Sequence, residues 1–250
     1  MAHNPRLDTI LNLIHTYRQI SVTELTERLG VSQVTIRKDL TRLEEQGLII
    51  RSHGGASLAQ TVAPLPTVNS RRETFYEEKN RITARAVELI RDEDSVCIDA
   101  GATTQLLAEK IVNMPLRVIS NSLDILNLLA SSRDVTLTAI GGNFRVNAAS
   151  FIGPIAEDAV NQLQFDIAFI GATGMTSEGD FLTQNAIEGR LKRAMLKAAR
   201  RKVILADSSK FEARAFSIFA RPELVDILIT DKGFTHVEKF RDMGIEVITV

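Results

Sequence analysis

From residue 81 onward, short apolar runs alternate with helical stripes, and this alternation leaves few folds open. The runs are Val96-Cys97-Ile98, Val118-Ile119, Val135 to Ile140, Ile167 to Ile170, Val203 to Ala206, Leu228-Ile229 and Val247 to Val250. Helical segments over 103–112, 122–131, 155–163, 185–201 and 235–243 separate most of them, after a first stripe of Ile82, Ala86, Leu89 and Ile90. Parallel strands need long crossovers, and crossover helices cover both faces of their sheet. The pattern therefore predicts a Rossmann-like α/β domain with a mostly parallel sheet.

Sheets of this kind bind ligands at the carboxyl ends of their strands. Five such ends are polar or glycine-rich: Asp99-Ala100-Gly101-Ala102-Thr103-Thr104, Ser120-Asn121-Ser122, Gly141-Gly142-Asn143-Phe144-Arg145, Gly171-Ala172-Thr173-Gly174 and Asp207-Ser208-Ser209-Lys210-Phe211. In the first, Gly101 permits a tight turn into a helix. The free N–H groups and dipole of that helix, with the hydroxyls of Thr103 and Thr104, suit an anion, most naturally phosphate. Taken singly, each end has a plainer reading as a turn, a cap or a solvated charge. Taken together, one anion cradle and one cationic group suit a phosphorylated sugar or polyol.

The first sixty residues are organised differently. Leu7, Ile10, Leu11 and Ile14 form one helical stripe. Ser21-x-x-Glu24 is a capping box that opens a second helix carrying Leu25 and Leu29 inward. Gly30 turns the chain, and Ser32 sits at the N-cap of a third helix with Ile36, Leu40 and Leu43 on its core face. The opposite face carries Val34, Lys38 and Thr41, flanked by Thr35 and Arg37. An apolar Val34 on the wet face suits a thymine methyl, and the polar neighbours suit phosphates and base edges. Leu48 to Arg51, Ser52-His53-Gly54-Gly55 and Ala56-Ser57-Leu58 read as strand, turn and strand, a β-hairpin wing. The expected DNA contacts are Ser32, Gln33, Val34, Thr35, Arg37, Lys38, Thr41 and Arg42, with Arg51 and His53 from the wing. Charge argues little either way: residues 1–60 hold seven Lys/Arg against six Asp/Glu, a net +1. A small helical module that only packs or dimerises fits the periodicity too.

The chain of 250 residues has 44% hydrophobic and 24% charged residues and a formal net charge of −1, ordinary for a globular protein. Its single cysteine, Cys97, lies in an apolar run, which reads as a small buried hydrophobe and fits a reducing compartment. His3, His15, His53 and His236 are scattered without metal-ligand spacing, so no metal or other cofactor is expected. The N-terminal residues lack the apolar run of a signal peptide, and no stretch is long enough for a membrane span, so the expected location is cytoplasmic. Ala63-Pro64-Leu65-Pro66 and the polar run after it read as a linker. The expected domains are 1–58, a winged helix-turn-helix; 59–75, a linker; and 76–250, the α/β domain.

Two blocks carry a family resemblance. Arg6-x-x-x-Ile10-x-x-Leu13, Ser32-x-x-Thr35-Ile36-Arg37-Lys38-Asp39-Leu40 and Gly54-Gly55 resemble the winged helix-turn-helix of the DeoR family of bacterial transcriptional regulators. Asp99-x-Gly101-x-Thr103-Thr104, Asn121-Ser122, Gly141-Gly142-x-x-Arg145, Ser150-x-x-Gly153, Asp166, Gly171 and Asp207 to Phe211 resemble that family's C-terminal sensor domain, whose fold is similar to ribose-5-phosphate isomerase. The resemblance implies that Gly101, Ala102, Thr103, Thr104 and Lys210 hold phosphate. It implies that Asp99, Asn121 and Arg145 meet sugar hydroxyls beside Gly141, Gly142 and Gly171. Ala102 stands where the family has glycine. The implied function is an operator-binding repressor of a sugar or polyol operon, working as a homo-oligomer (dimer or tetramer) and released by a phosphorylated effector. An isomerase-like enzyme using Asp99, Asp166, Glu188 and Asp207 is the alternative, and a protein-binding scaffold is a third class.

Overall fold

The computed structural model describes residues 6–7, 9–10, 13–14, 19–45, 49–52, 55–58 and 68–250. The chain divides into two compact units, Met1–Leu65 and Pro66–Val250.

In the first unit, the described residues among 6–14 are helical, with Ile10 and Ile14 buried. Strand β1 (Gln19–Ser21) leads into helix Val22–Leu29. The capping box forms as the sequence requires: Glu24 N–H donates to Ser21 Oγ at 3.1 Å, and Ser21 N–H donates to Glu24 Oε2 at 2.9 Å. Gly30 ends that helix in the left-handed region at φ 64°, its N–H donating to the Thr26 carbonyl. Helix Gln33–Glu45 follows, with Ile36, Leu40 and Leu43 buried among Ile10, Ile14, Leu25 and Ile49. Strands β2 (Ile49–Ser52) and β3 (Gly55–Leu58) pair antiparallel, and β1 adds to β3 as a third strand that the hairpin pattern alone does not reveal. At Gly55 a Cβ would lie 2.3 Å from the Ile20 carbonyl oxygen, so glycine there lets β1 approach.

The second unit begins with helix Val68–Glu73, inside the stretch read from composition as linker. Arg72 pairs with Glu109 at 2.6 Å and ties this helix to the unit. Helix Tyr76–Val87 follows. The strands are then β4 (Ser95–Ile98), β5 (Arg117–Ser120), β6 (Thr136–Ala139), β7 (Asn143–Arg145), β8 (Ser150–Ile152), β9 (Phe165–Gly171), β10 (Gly174–Met175), β11 (Phe181–Thr183), β12 (Ala199–Leu205), β13 (Ser217–Ala220), β14 (Ile227–Thr230) and β15 (Glu246–Thr249). Seven of them make one sheet in the order β15-β14-β12-β9-β4-β5-β6, every pair parallel. The seven apolar runs read from sequence are these seven strands.

Side chains alternate between the two faces of the sheet, as its period of two requires. Val96, Ile98, Val118, Phe169, Val203 and Leu205 face helices Tyr76–Val87, Ala102–Lys110 and Leu123–Leu129. Cys97, Ile119, Ala168, Ile170 and Ile204 face Pro154–Asn161, Ala186–Lys197 and Val237–Asp242. The helix expected over 185–201 stops at Lys197, because Ala199 already pairs with Phe165 in the sheet. Hairpin β7-β8 and the small sheet β10-β11-β13 use strands of two to four residues, too short to show a period.

The strand order reverses direction once within this sheet. From β4 the chain order runs through β5 and β6 toward one edge, and from β9 through β12, β14 and β15 toward the other. The order reverses between β4 and β9, and a crevice opens outside the carboxyl ends of the strands at such a switch point.

Candidate functional site

On helix Gln33–Glu45 the face opposite the core is built for an external partner. Ser32 caps the helix, its Oγ accepting from Thr35 N–H at 3.3 Å. Val34 is 65% exposed; Gln33, Arg37, Lys38 and Arg42 are also exposed, while Thr35 and Thr41 are half-buried. Thr41 Oγ1 donates to the Arg37 carbonyl at 2.9 Å. The acid within the motif is turned inward: Asp39 is buried and takes the Arg6 guanidinium at 2.6 Å. The near balance of charge in this unit thus hides a helix whose N-terminal half exposes Arg37 and Lys38 while burying Asp39; the exposed acid Glu44 lies in its last turn. Arg51 lies in β2 opposite Ala56, and His53 lies outside the described residues.

In the second unit, the switch point holds a chain of charges. Asp99, one residue beyond β4, is buried; its Oδ2 accepts from Gly171 N–H at 3.2 Å and from Lys192 Nζ. Lys192, itself buried, also donates to the Gly171 carbonyl at 3.0 Å and lies 3.6 Å from Glu188 Oε1. Glu188 completes the chain with an ion pair to Arg145 on β7. Burial pushes the Asp99 carboxyl above its usual range, against the pull of Lys192. Burial pushes Glu188 up too, but Lys192 and Arg145 reverse this and hold it below its usual range. Burial draws Arg71 down while Glu188 and Asp99 oppose the shift, so this guanidinium, from helix Val68–Glu73, lies in the same field.

The neighbouring residues differ in how far the fold already engages their polar groups. Gly101 is the N-cap of helix Ala102–Lys110 with extended backbone and no side-chain cap, leaving the first-turn N–H groups uncapped by any side chain. Ala102, Thr103 and Thr104 are buried, and Thr104 Oγ1 donates to the Gly101 carbonyl at 3.0 Å. Asn121 is engaged with backbone at both ends of its amide: Ala100 N–H donates to its Oδ1 at 3.1 Å, and its Nδ2 donates to the Phe151 carbonyl at 2.9 Å. It thereby ties the loop after β4 to β8. Gly142, at φ 138°, has a backbone reason for being glycine, since a Cβ would stand 2.7 Å from the Ile152 carbonyl oxygen. Gly141 is exposed with open space around it.

A second charge cluster sits at the end of β12. Asp207 is fully buried, and its Oδ2 lies 3.5 Å from Lys79 Nζ and 3.8 Å from Lys210 Nζ. The turn that carries Lys210 is held by Asp231, which accepts from Ser208 N–H at 2.6 Å and Gly233 N–H at 2.8 Å. Asp166 lies elsewhere, at the opposite end of the sheet. Its Oδ2 accepts from the Ser95 N–H at 2.9 Å and hydroxyl at 2.6 Å, joining the starts of β9 and β4. Lys79, Lys192 and Arg71 were not among the residues expected from sequence.

This pairing of a winged helix-turn-helix with a parallel α/β unit, charged at its switch point, defines a DNA-binding regulator with a ligand-sensing domain. Residues 6–62 match the DeoR-like helix-turn-helix domain, and residues 74–232 match the DeoR C terminal sensor domain. The chain belongs to the DeoR family and is a sequence-specific DNA-binding transcriptional regulator. It is 33% identical over 232 residues to the glycerol-3-phosphate regulon repressor of Escherichia coli (strain K12), covering 92% of each chain. It is 32% identical over 232 residues to the HTH-type transcriptional repressor GlcR of Bacillus subtilis (strain 168), covering 93% of this chain and 90% of that one. The lactose phosphotransferase system repressor of Staphylococcus epidermidis is 30% identical over 247 residues, 98% of each chain. Among solved structures, ribose 5-phosphate isomerase A of Methanocaldococcus jannaschii superposes on 54% of this chain with 17% identity and a TM-score of 0.41, too low to carry an argument. Among the described residues, no helix is long and apolar enough to cross a membrane.

Proposed function

We propose that this regulator is a repressor that binds its operator as a homo-oligomer, a dimer or tetramer, and releases it when a phosphorylated sugar or polyol binds the sensor. The observation that carries this reading is the meeting of Asp99 and Gly171 at the switch point. Lys192 spans both, and the uncapped helix start at Gly101 stands two residues from Asp99. Gly101 and Gly171, beside these buried charges, are half-buried, a setting suited to hydroxyls. The uncapped N–H groups with Lys210 suit phosphate. The names of the relatives point the same way: one is the repressor of a glycerol-3-phosphate regulon, another of a lactose phosphotransferase system.

The same geometry speaks against an isomerase. Of the four carboxylates that an enzyme would draw on, Asp166 lies at the far end of the sheet, and Asp99, Glu188 and Asp207 are each held by a lysine. A general base needs a carboxylate free to take a proton beside the sugar carbons. Moving an operator-bound ensemble from 99:1 to 1:99 needs about 5.5 kcal/mol of differential affinity, which several sites in an oligomer supply more easily than one. Two recognition helices would read half-sites about 34 Å apart or a multiple of it.

A thermal-shift screen of the full chain against phosphorylated sugars and polyols, paired with mobility shifts on the DNA upstream of its own gene, tests the reading. One phosphorylated compound should raise the melting temperature and release the DNA, and its unphosphorylated parent should do neither. Equal effects from the parent compound would sink the phosphate assignment. Failure of every phosphorylated compound to release bound DNA would sink the effector reading.

A further inference from the structure

Between helices Val68–Glu73 and Tyr76–Val87 the chain turns through Thr74 and Phe75. Phe75 adopts φ 55° and ψ 42°, left-handed backbone that a bulky side chain rarely accepts. Such a conformation persists only where its surroundings impose it. The imposing group is Lys79, one turn into the second helix. Its Nζ donates to the Thr74 carbonyl, lies 5.8 Å from the Phe75 ring centre, and stands 3.5 Å from Asp207 Oδ2. Lys79 is buried, so it has left water for these three contacts.

The Asp207 end of this clasp is held at Oδ2 by charge and not by a hydrogen bond. Its Oδ1 accepts from the Ser209 hydroxyl, but its Oδ2 is buried and accepts no hydrogen bond. Among the described residues, the charges of Lys79 and Lys210 face that oxygen. Lys210 is also the lysine assigned above to effector phosphate. A phosphate engaging Lys210 therefore sets a second negative charge beside the buried carboxylate that holds Lys79, and the repulsion between the two anions works against that hold.

We propose that Lys79 is a latch: it fastens the Thr74-Phe75 turn to Asp207, and an anionic ligand that engages Lys210 unfastens it. The ligand's arrival is thereby carried into the segment that follows the DNA-binding unit in the chain. This inference rests on the effector site proposed above. Lys79 acts as a positioning residue, through the turn, and makes no claim on the ligand's specificity. The neighbouring ties on this segment support the arrangement. Arg72 pins helix Val68–Glu73 to Glu109, and Arg71 lies in the field of Asp99 and Glu188, so the segment is fastened beside both charge clusters.

The test uses the full chain, with glycerol 3-phosphate, glucose 6-phosphate and inorganic phosphate as probes. Two readouts are followed: amide hydrogen exchange over residues 68–79, and affinity for the DNA upstream of its own gene. In Lys79→Met the exchange of this segment should rise about tenfold while amides of β4, β9 and β12 keep their protection. Without any probe, Lys79→Met should bind DNA as weakly as probe-saturated wild type, a loss of about fivefold or more, and Lys79→Arg should restore both properties. Asp207→Asn should behave like Lys79→Met, and it serves if thermal melting shows that Lys79→Met does not fold. Wild-type exchange over 68–79 in the variants overturns the latch. Faster exchange with unaltered DNA affinity overturns its coupling role. If no phosphorylated probe releases the wild type, the effector reading fails, and the exchange and affinity of the variants still decide the latch.

Discussion

Lys192 reaches from helix Ala186–Lys197 to the Asp99 carboxylate, and through the Gly171 carbonyl it joins the two strands between which the chain order reverses. Both partners are buried, so removing one strands the other. Lys192→Met should therefore destabilise the sensor by about 3 kcal/mol, because an unpaired buried carboxylate is left behind. Asp99→Asn in the Lys192→Met background should recover much of that loss, since neither charge then remains. Urea unfolding of wild type and the two variants checks both statements, and a Lys192→Met protein within about 0.5 kcal/mol of wild type would refute the first.

The main sheet was legible because each of its strands is a short apolar run between helical stripes. The third wing strand Gln19–Ser21 was not, because three residues show no period. The candidate site was half legible. Asp99, Gly101, Thr104, Gly171 and Lys210 mark themselves by falling at strand ends. Lys192 and Lys79 carry a different signal, overlooked when charges are read as solvated faces. Lys192 falls on the same buried stripe as Gly189, Met195 and Leu196, and Lys79 on that of Ile82, Thr83 and Ala86. A lysine in register with an apolar stripe has been drawn inward by a carboxylate. Which carboxylate it meets depends on strand order, and strand order was not in the pattern.

Ser95 and Asp166 join the starts of β4 and β9, and the Ser95 hydroxyl and N–H hold the Asp166 carboxyl below its usual range. A carboxylate with a lower pKa folded than unfolded stabilises the fold at neutral pH. That contribution is lost as the pH falls through the ordinary carboxylate value and below it. Ser95→Ala should cost about 1 kcal/mol at pH 7, kept small because Asp166 is partly exposed. The difference from wild type should shrink below about pH 4. Urea titrations at pH 7 and pH 3 measure this, and an equal difference at both would show that the bond to the ionised carboxylate contributes nothing.

Gly55 sits where a Cβ would come within 2.3 Å of the Ile20 carbonyl oxygen, which is backbone and cannot swing aside. Gly55→Ala should push β1 off β3 and destabilise the DNA-binding unit by about 2 kcal/mol or more. Since the units are separate compact bodies, calorimetry should show the loss in one transition only. Operator affinity should fall while ligand-induced stabilisation of the sensor persists. A variant with native operator affinity would mean that the wing tolerates the separation.

Arg37 and Val34 project from the exposed face of the same helix but offer different chemistry. If Arg37 meets phosphate, Arg37→Ala should weaken binding across DNA sequences and flatten the dependence of log K on log salt by about 1. Val34→Ala removes apolar contact only, so its cost of about 1 kcal/mol should appear at operators with a thymine at one position and vanish when that base is changed. Salt-series anisotropy on the operator and its single-base variants separates the two roles. A sequence-dependent loss for Arg37→Ala with an unchanged salt slope would move Arg37 from backbone to base contact.

The family resemblance implies different parts of one ligand for Arg145 and Lys210, and this division is open to direct measurement. Arg145 pairs with Glu188, which Lys192 also faces, so Arg145→Ala leaves Glu188 with a cation 3.6 Å away and the fold intact. A ligand hydroxyl held by Arg145 would be lost, and with it about tenfold in affinity for a sugar phosphate. Inorganic phosphate has no such hydroxyl chain and should bind Arg145→Ala as it binds wild type. Lys210→Ala removes a cation from the phosphate end, so both ligands should weaken together. Titration calorimetry of the two variants with both ligands gives four affinities against wild type. Should inorganic phosphate weaken in Arg145→Ala as much as the sugar phosphate does, Arg145 belongs to the phosphate, and the ligand lies reversed across the switch point.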